Sequence, residues 1–594
     1  MVKIWCGLAA TFLWAAVAGL AGEDSVHARS AVWQPMLPLL SHLHGGMHPS
    51  LPSPSTHVPM TKKTTKHSHN RTSMMSLDDK ASHVIEFVRK QMQANGFPGM
   101  GISVVYQHKT AIVQGLGTTA VNSSLPVLPS TQFAIGGLSH TLLALAVAKL
   151  TESHELEWND PISMYLPWFS LMDEYAASHT TVGDLLSHNS VINMMDGAMA
   201  VTFAVHATGR PLVEALRHLH TTHDFRSGYS PTWLNSIILG QVVEAVTNQT
   251  WHAYILDAVA TPLHMDDTKG RPADAPPSQL TSGHLFCNGT VIGPFSLANS
   301  TMMSLGPQGA YVAGSSMVAS LNDVTKLSLA LLPRHKHDRS KQAVNQTGDS
   351  GGLLFQSPKT LAEMTTGQSF NSLMTNVGPW LGLSYSPSGN SLAAGYGFDI
   401  VGDVMHGEHF FGVLGVAGYV PSHGLGVVLM SNAEAAVGGL FSAQMVIPLV
   451  HSYILGVYLD IPIATLENEF ANAIAAIDHR APVLPCDPHY FENKPWDVPG
   501  VVIPDKTKRQ LVGTYNSTES VFYGGVAVYI DHEAKDRDLV LQYGEYARRL
   551  IATGNDGVYM WALEARGATF VVQFVDKDAR AVQLHFFGKS FVRK

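Results

Sequence analysis

Three cysteines in 594 residues are too few for a disulfide framework to hold this chain together. Cys6 lies in an apolar leader, which leaves Cys287 and Cys486 as one candidate disulfide pair in an oxidising compartment. Charged residues make up only 14% of the chain and the formal net charge is −9, with no run or stripe of Lys and Arg, so nucleic acid is not an expected partner. Beyond Ile4–Leu20 there is no apolar run of membrane-spanning length. What the chain does have is a 45% hydrophobic content, enough for a large core and more than one domain, and thirty histidines.

Residues 1–22 read as a secretory signal peptide: Lys3, the apolar run, then small residues before Glu23 and Asp24. Secretion makes glycosylation candidates of Asn70, Asn122, Asn248, Asn288, Asn299, Asn345 and Asn516, each in an N-x-S/T sequon. Localisation is expected to be extracellular, with no membrane span once the leader is removed. Residues 23–75 are rich in Pro, Ser, Thr and His without periodicity, as expected of a disordered arm. Its His42, His44, His48, His67 and His69 are a loose set of imidazoles on a polar tail.

Folded structure is predicted from residue 76. Ser76 to Gly96 has the pattern of an amphipathic helix, with acidic Asp78 and Asp79 in its first turn and a terminating glycine. GISVVYQ and TAIVQGLG read as two strands joined at His108-Lys109. After Gly136-Gly137, Leu138–Leu150 is apolar on every side and has one charge, Lys149, which predicts a helix buried in the domain centre. Unpaired N–H groups in its first turn are expected to face a site.

The ordered landmarks around this helix resemble the serine β-lactamase and D-alanyl-D-alanine carboxypeptidase superfamily. FAIGGLSHTLL is similar to F-x-I-G-S-x-S-K-T, ELEWNDPISMYLP to L-x-x-D-D-P-x-x-x-Y-L-P, TVGDLLSHNSV to T-x-x-x-L-L-S-H-T-S-G, and ATPLHMDDT to the P-L-G-M-x-x-T segment. SLNDVTKLSLALL, GYGFDIV and HGLGVVLMSN continue the order. The resemblance implies an α/β (α+β) domain over residues 76–480, in which an antiparallel sheet is flanked by helices and one central helix is buried. A Pro-rich linker over 481–508 and seven strand-like runs from 509 to 594 then predict a small C-terminal antiparallel barrel or sandwich. Leu511, Gly513 and Tyr515 match the L-x-G-x-Y opening of the β domain that often follows such domains.

The same resemblance locates three reactive landmarks, and each is altered. Gly137 stands at the nucleophilic Ser and His140 at the Lys of S-x-x-K; Tyr229 keeps the Tyr of Y-x-N but Pro231 replaces its Asn; Val413 replaces the His or Lys of the third motif, where Gly412, Gly415, Gly418 and Tyr419 remain. Glycine has no side chain to acylate, so no catalytic residue is expected at the family positions. The candidate pocket residues are His140, Tyr229 and Gly415. No cofactor is implied; the cleft is left to an unidentified small molecule or peptide.

The expectation is a secreted glycoprotein with a binding or extracellular-matrix role. One alternative is an esterase or peptidase with relocated residues, pairing His140 with Tyr229 as base and acid; Ser139, some 200° around the helix from Gly137, turns away from the pocket face. Another is histidine-mediated metal or mineral binding, through the arm or through His218, His220 and His223 at a helix end. His406 and His409 fall on a strand, where residues three apart face opposite sides.

Overall fold

The computed structural model describes residues 75–193, 196–287, 290–298, 313–332, 354–371, 392–401, 404–406, 415–435, 440–478, 502–533, 538–552, 557–563, 568–577, 580–586 and 588–594. The leader, the arm, Asn70, Asn288, Asn299, Asn345, Gly412, Val413, His409 and Cys486 lie outside the described residues.

Helix α1, Leu77–Asn95, starts at a capping box in which Ser76 and Asp79 exchange bonds and stops at Gly96 in the left-handed conformation. Strands β1, Gly99–Tyr106, and β2, Lys109–Gly117, follow. They are joined by Gln107 and His108, both at positive φ, a two-residue turn whose twist matches the hairpin. Next come β3, Gln132–Ala134, the central helix α2, Leu138–Glu152, α3, Val182–Leu186, and α4, Trp233–Thr247. Strands β4, Gly283–Cys287, β5, Thr290–Phe295, and β6, Val318–Ser320, precede α5, Leu321–Leu331. Strands β7, Ser369–Phe370, β8, Leu392–Ala394, β9, Asp399–Val401, β10, Val404–His406, β11, Gly415–Val420, β12, Leu425–Ser431, and β13, Ala433–Ala435, lead to α6, Leu440–Tyr458.

The main sheet runs β2-β1-β12-β11-β10-β9-β8-β7, and its paired strands are antiparallel. Alternation along β1 divides the core. Met100, Ile102 and Val104 join Val84 and Val88 of α1 and Ile447 and Ile454 of α6 on one face. On the other, Ser103 bonds Thr325 of α5 at 2.6 Å and Val105 joins the cluster around α2. Helix α2 is that cluster's axis: Leu138 through Ala148 are all buried. The sheet is therefore sandwiched between helices, as the sequence predicts.

Some elements were not anticipated. β13 pairs with β4 in parallel. Helix α7, Ile463–Asp478, follows α6, and helix α8, Asp505–Leu511, spans the point where the strand region was expected to open.

Eight C-terminal strands close into a barrel: β14, Gly513–Ser517, β15, Gly525–Ile530, β16, Leu539–Tyr543, β17, Tyr546–Ala552, β18, Val558–Leu563, β19, Ala568–Lys577, β20, Arg580–Phe586, and β21, Lys589–Arg593. The strand carrying Gly513 and Tyr515 closes it, by pairing with both β15 and β21. The barrel core includes Tyr515, Tyr543, Trp561, Phe586 and Phe591, together with Phe203 from the large domain. Phe203 packs against Tyr543, Tyr546, Trp561 and Phe586, with ring centroids 5.3–6.3 Å away. In return Phe522 and Tyr523 of the barrel join the core of the large domain. Among the described residues, no helix is long and apolar enough to cross a membrane.

Candidate functional site

The site is built where α2 begins. Gly137 is the N-cap of α2 in a right-handed conformation and makes no side-chain cap bond, while Gly136 before it has φ 52°. The first-turn donors are not open. Leu138 N donates to Ile135 O at 3.1 Å, Ser139 N to Gly136 O at 2.9 Å and His140 N to Gly137 O at 2.9 Å. These tight i→i−3 bonds satisfy N–H groups that the sequence reading left facing a site, which corrects that expectation. Gly415 stands beside this turn: a Cβ on it would lie 3.6 Å from Ile135 O, so β11 borders the helix start.

His140 is wholly buried. Its Nε2 lies 3.4 Å from Leu186 O and its Nδ1 2.8 Å from Ser236 Oγ of α4. A carbonyl only accepts, so in a neutral ring Nε2 carries the proton and Nδ1 accepts from the Ser236 hydroxyl. The histidine in the Lys position is thus absorbed into the contact between α2 and α4.

His188, one residue beyond the C-cap of α3, contacts both His140 and Tyr229, the two residues that the esterase alternative pairs as base and acid. Its ring stacks on His140 at 4.7 Å and meets Tyr229 edge-on at 5.5 Å. Ser190 Oγ donates to Asn235 Oδ1 at 2.8 Å, which turns the Asn235 amide nitrogen toward His188 Nδ1 at 3.2 Å and makes that nitrogen an acceptor. His188 C=O accepts from Ser230 N at 2.8 Å, and Phe370 O of β7 accepts from Tyr229 N at 3.3 Å, so Tyr229 is pinned by α3 and the sheet edge. Tyr229 is 7% exposed, whereas Phe370 next to it is 60% exposed. Pro231 follows in the same segment, two residues before α4.

Ser139 is buried and accepts from Met317 N at 3.2 Å, consistent with its turning from the pocket face. Thr141 Oγ1 donates to Gly397 O at 2.9 Å, and Gly397, at φ 78°, is seated so close to α2 that a Cβ would come within 2.2 Å of Ala144 Cβ. This contact fixes the depth of α2 in the core.

Among the described residues no three of His, Cys, Asp and Glu are grouped to hold a metal. His218 ends a short 3₁₀ turn, while His223 Nδ1 lies 3.0 Å from Ser190 O and its Nε2 3.2 Å from Ser227 Oγ. For His406 only the backbone, on β10, is described. Asn122, Asn248 and Asn516 are exposed, the first two at positive φ in turn and helix-cap positions. The sequence reading missed His188, Asn235 and Ser236; only His188 had a signal, as the His of LLSHNS.

Residues 84–443 match the Beta-lactamase family. Protein flp of Staphylococcus aureus (strain MRSA252) is 24% identical over 204 residues, 32% of this chain and 38% of that protein. Penicillin-binding protein 4 of Amycolatopsis lactamdurans is 28% identical over 193 residues, 32% of this chain and 49% of that protein. The chain thus spans less than half the length of either relative. Among solved structures, the octameric penicillin-binding protein homologue from Pyrococcus abyssi overlays with a TM-score of 0.49 at 16% identity, covering 86% of this chain and 99% of that one. A class C beta-lactamase from Rhodobacter sphaeroides does so at 0.45 and 16% identity, covering 64% and 99%.

Proposed function

We propose that this chain, which belongs to the beta-lactamase family, has given up the family's acyl-transfer chemistry and serves outside the cell as a binding or extracellular-matrix glycoprotein. The observation that carries this is the mouth of α2. Gly137 offers no side-chain hydroxyl there, and His140 is buried with both ring nitrogens engaged by Ser236 and Leu186. Pro231 supplies neither an amide side chain nor a backbone N–H. Loss of one member of a catalytic unit costs on the order of a million-fold, and the members are non-additive, so the missing nucleophile alone silences the family reaction. The exposed positions of Asn122, Asn248 and Asn516 suit glycans, and the leader-like start suits secretion. A small molecule or peptide is the class of ligand we assign to the cleft.

The test is incubation of the full chain, purified from a secreting eukaryotic cell, with a chromogenic cephalosporin and a fluorescent penicillin. No turnover and no covalent adduct within residues 133–150 or 229–236 is expected, together with a mass decrease on enzymatic deglycosylation. An adduct on either segment sinks the loss of acyl transfer; retention of the chain inside the cell sinks the extracellular assignment.

A further inference from the structure

The loop leading to Tyr229 holds a hydroxyl and an imidazole that the emptied family positions do not account for. Ser227 is exposed, and its Oγ lies 3.2 Å from His223 Nε2. His223 Nδ1 lies 3.0 Å from the carbonyl of Ser190. Since that carbonyl can only accept, Nδ1 carries the proton of a neutral ring and Nε2 is left as the acceptor facing the serine. This is the order of contacts in an activated serine: hydroxyl, imidazole, and an acceptor that fixes the tautomer.

The imidazole is firmly supported. Ser190 is buried and tied through its own hydroxyl to Asn235 at 2.8 Å. Thr222, the residue before His223, donates its N–H at 2.8 Å and its hydroxyl at 2.9 Å to Asp196, a buried carboxylate that also accepts from Asn193 N at 2.8 Å. Ser227 Oγ has a second acceptor, Asp224 O at 2.8 Å, so rotation about one bond moves its proton between that carbonyl and His223.

We propose that Ser227 and His223 form a nucleophile and general base on the exposed loop before Tyr229, able to take an acyl group from an uncharged carboxylic ester. Ser227 Oγ adds to the ester carbonyl carbon as its proton passes to His223 Nε2. The bond to the alkoxy oxygen breaks, and that oxygen leaves as the alcohol with the proton from His223. Water, deprotonated by the same ring, then releases the acid and restores the serine hydroxyl. The class of ester follows from the surroundings. The neighbouring cation, Arg226, is held by Asp184 through bonds of 2.9 and 2.8 Å, so it is not a spare positive charge for an anionic substrate, and the exposed Asp224 carboxylate disfavours one. Phe370, whose backbone oxygen holds the N–H of Tyr229, two residues after Ser227, at 3.3 Å, offers an exposed apolar side chain for the acyl group.

This goes beyond the loss of family chemistry and uses different residues, so the two are tested separately. The full chain is treated with a fluorophosphonate probe and the adduct is mapped by peptide mass spectrometry. The expected adduct is on Ser227; it is absent in Ser227→Ala and forms about 100-fold more slowly in His223→Gln, the usual scale of general-base assistance. No adduct, an adduct on another serine, or an unchanged rate in His223→Gln overturns the proposal. Ser227→Cys provides a measurement free of the ester step: its alkylation by iodoacetamide at neutral pH is expected to slow when His223→Gln is added. Equal rates in the two cysteine variants overturn the pairing.

Discussion

Replacing Gly397 with Ala tests the seating of α2, on which the position of Gly137 and His140 depends. At φ 78° any residue with a Cβ carries a conformational cost of about 1–2 kcal/mol. The new methyl would also lie 2.2 Å from Ala144 Cβ, far inside contact distance, and relief of such overpacking costs about 1–3 kcal/mol more. Gly397→Ala is therefore expected to destabilise the large domain by about 2–5 kcal/mol. Gly424→Ala is the matched control. Its φ is 57°, but its Cβ would meet Gln107 Cα at an ordinary 3.4 Å, so it reports the conformational part alone. Ala144→Gly removes the opposing methyl at about 1 kcal/mol of helix propensity. In the double variant the overlap is gone, so the sum of the single effects should exceed the double effect by about 1–3 kcal/mol. The readout is urea unfolding of the full chain, followed at the large-domain transition by circular dichroism and tryptophan fluorescence. Additivity within about 0.5 kcal/mol would refute the contact, and with it the depth assigned to the helix that carries the site.

Phe203→Ala empties the aromatic seat at the end of the barrel and should cost about 3–5 kcal/mol, seen as faster amide exchange across strands β14–β21 and earlier proteolysis between the two domains. An unchanged exchange pattern would show that the barrel does not rest on this ring. His206 lies at the same seam with Nε2 2.9 Å from Phe522 O. Burial holds its pKa below the ordinary 6.5, although the bond to that carbonyl pulls the other way. Below pH 6.5 the unfolded chain takes up a proton that the folded state resists, so the contribution is whole above that value and is lost as pH falls through the folded pKa. The melting temperature measured from about pH 8 down to about pH 5 should fall less steeply in His206→Gln than in the parent; parallel curves would refute the assignment.

Features written in a single stretch of chain were legible in the sequence. Ser76, Asp79 and Gly96 mark the ends of α1, and the hairpin was legible from its strands' alternation although its turn, expected at His108-Lys109, lies one residue earlier at Gln107-His108. Leu138–Leu150 is apolar all round because α2 is enclosed on all sides. What the stretch of chain does not contain is the partner. His140 and Ser236 are 96 residues apart, and His188 meets the rings of both His140 and Tyr229 only through the folded packing around α3 and α4. Sequence comparison thus exposes which reactive groups are gone without exposing what replaced them.

The replacement explains how the framework persists. The first-turn N–H groups of α2 are met by the carbonyls of Ile135, Gly136 and Gly137 at 2.9–3.1 Å, main-chain bonds that need no side chain at position 137. A lysine exchanged for a buried histidine needs neutral acceptors and donors rather than a counter-charge, and Leu186 O and Ser236 Oγ are those groups. At positions 137 and 140 the local groups are thus satisfied by hydrogen bonds that need no ligand. On the proposed reading, function at this end of the fold runs through Tyr229, the Phe370 backbone that holds it and the Ser227–His223 loop rather than through position 137.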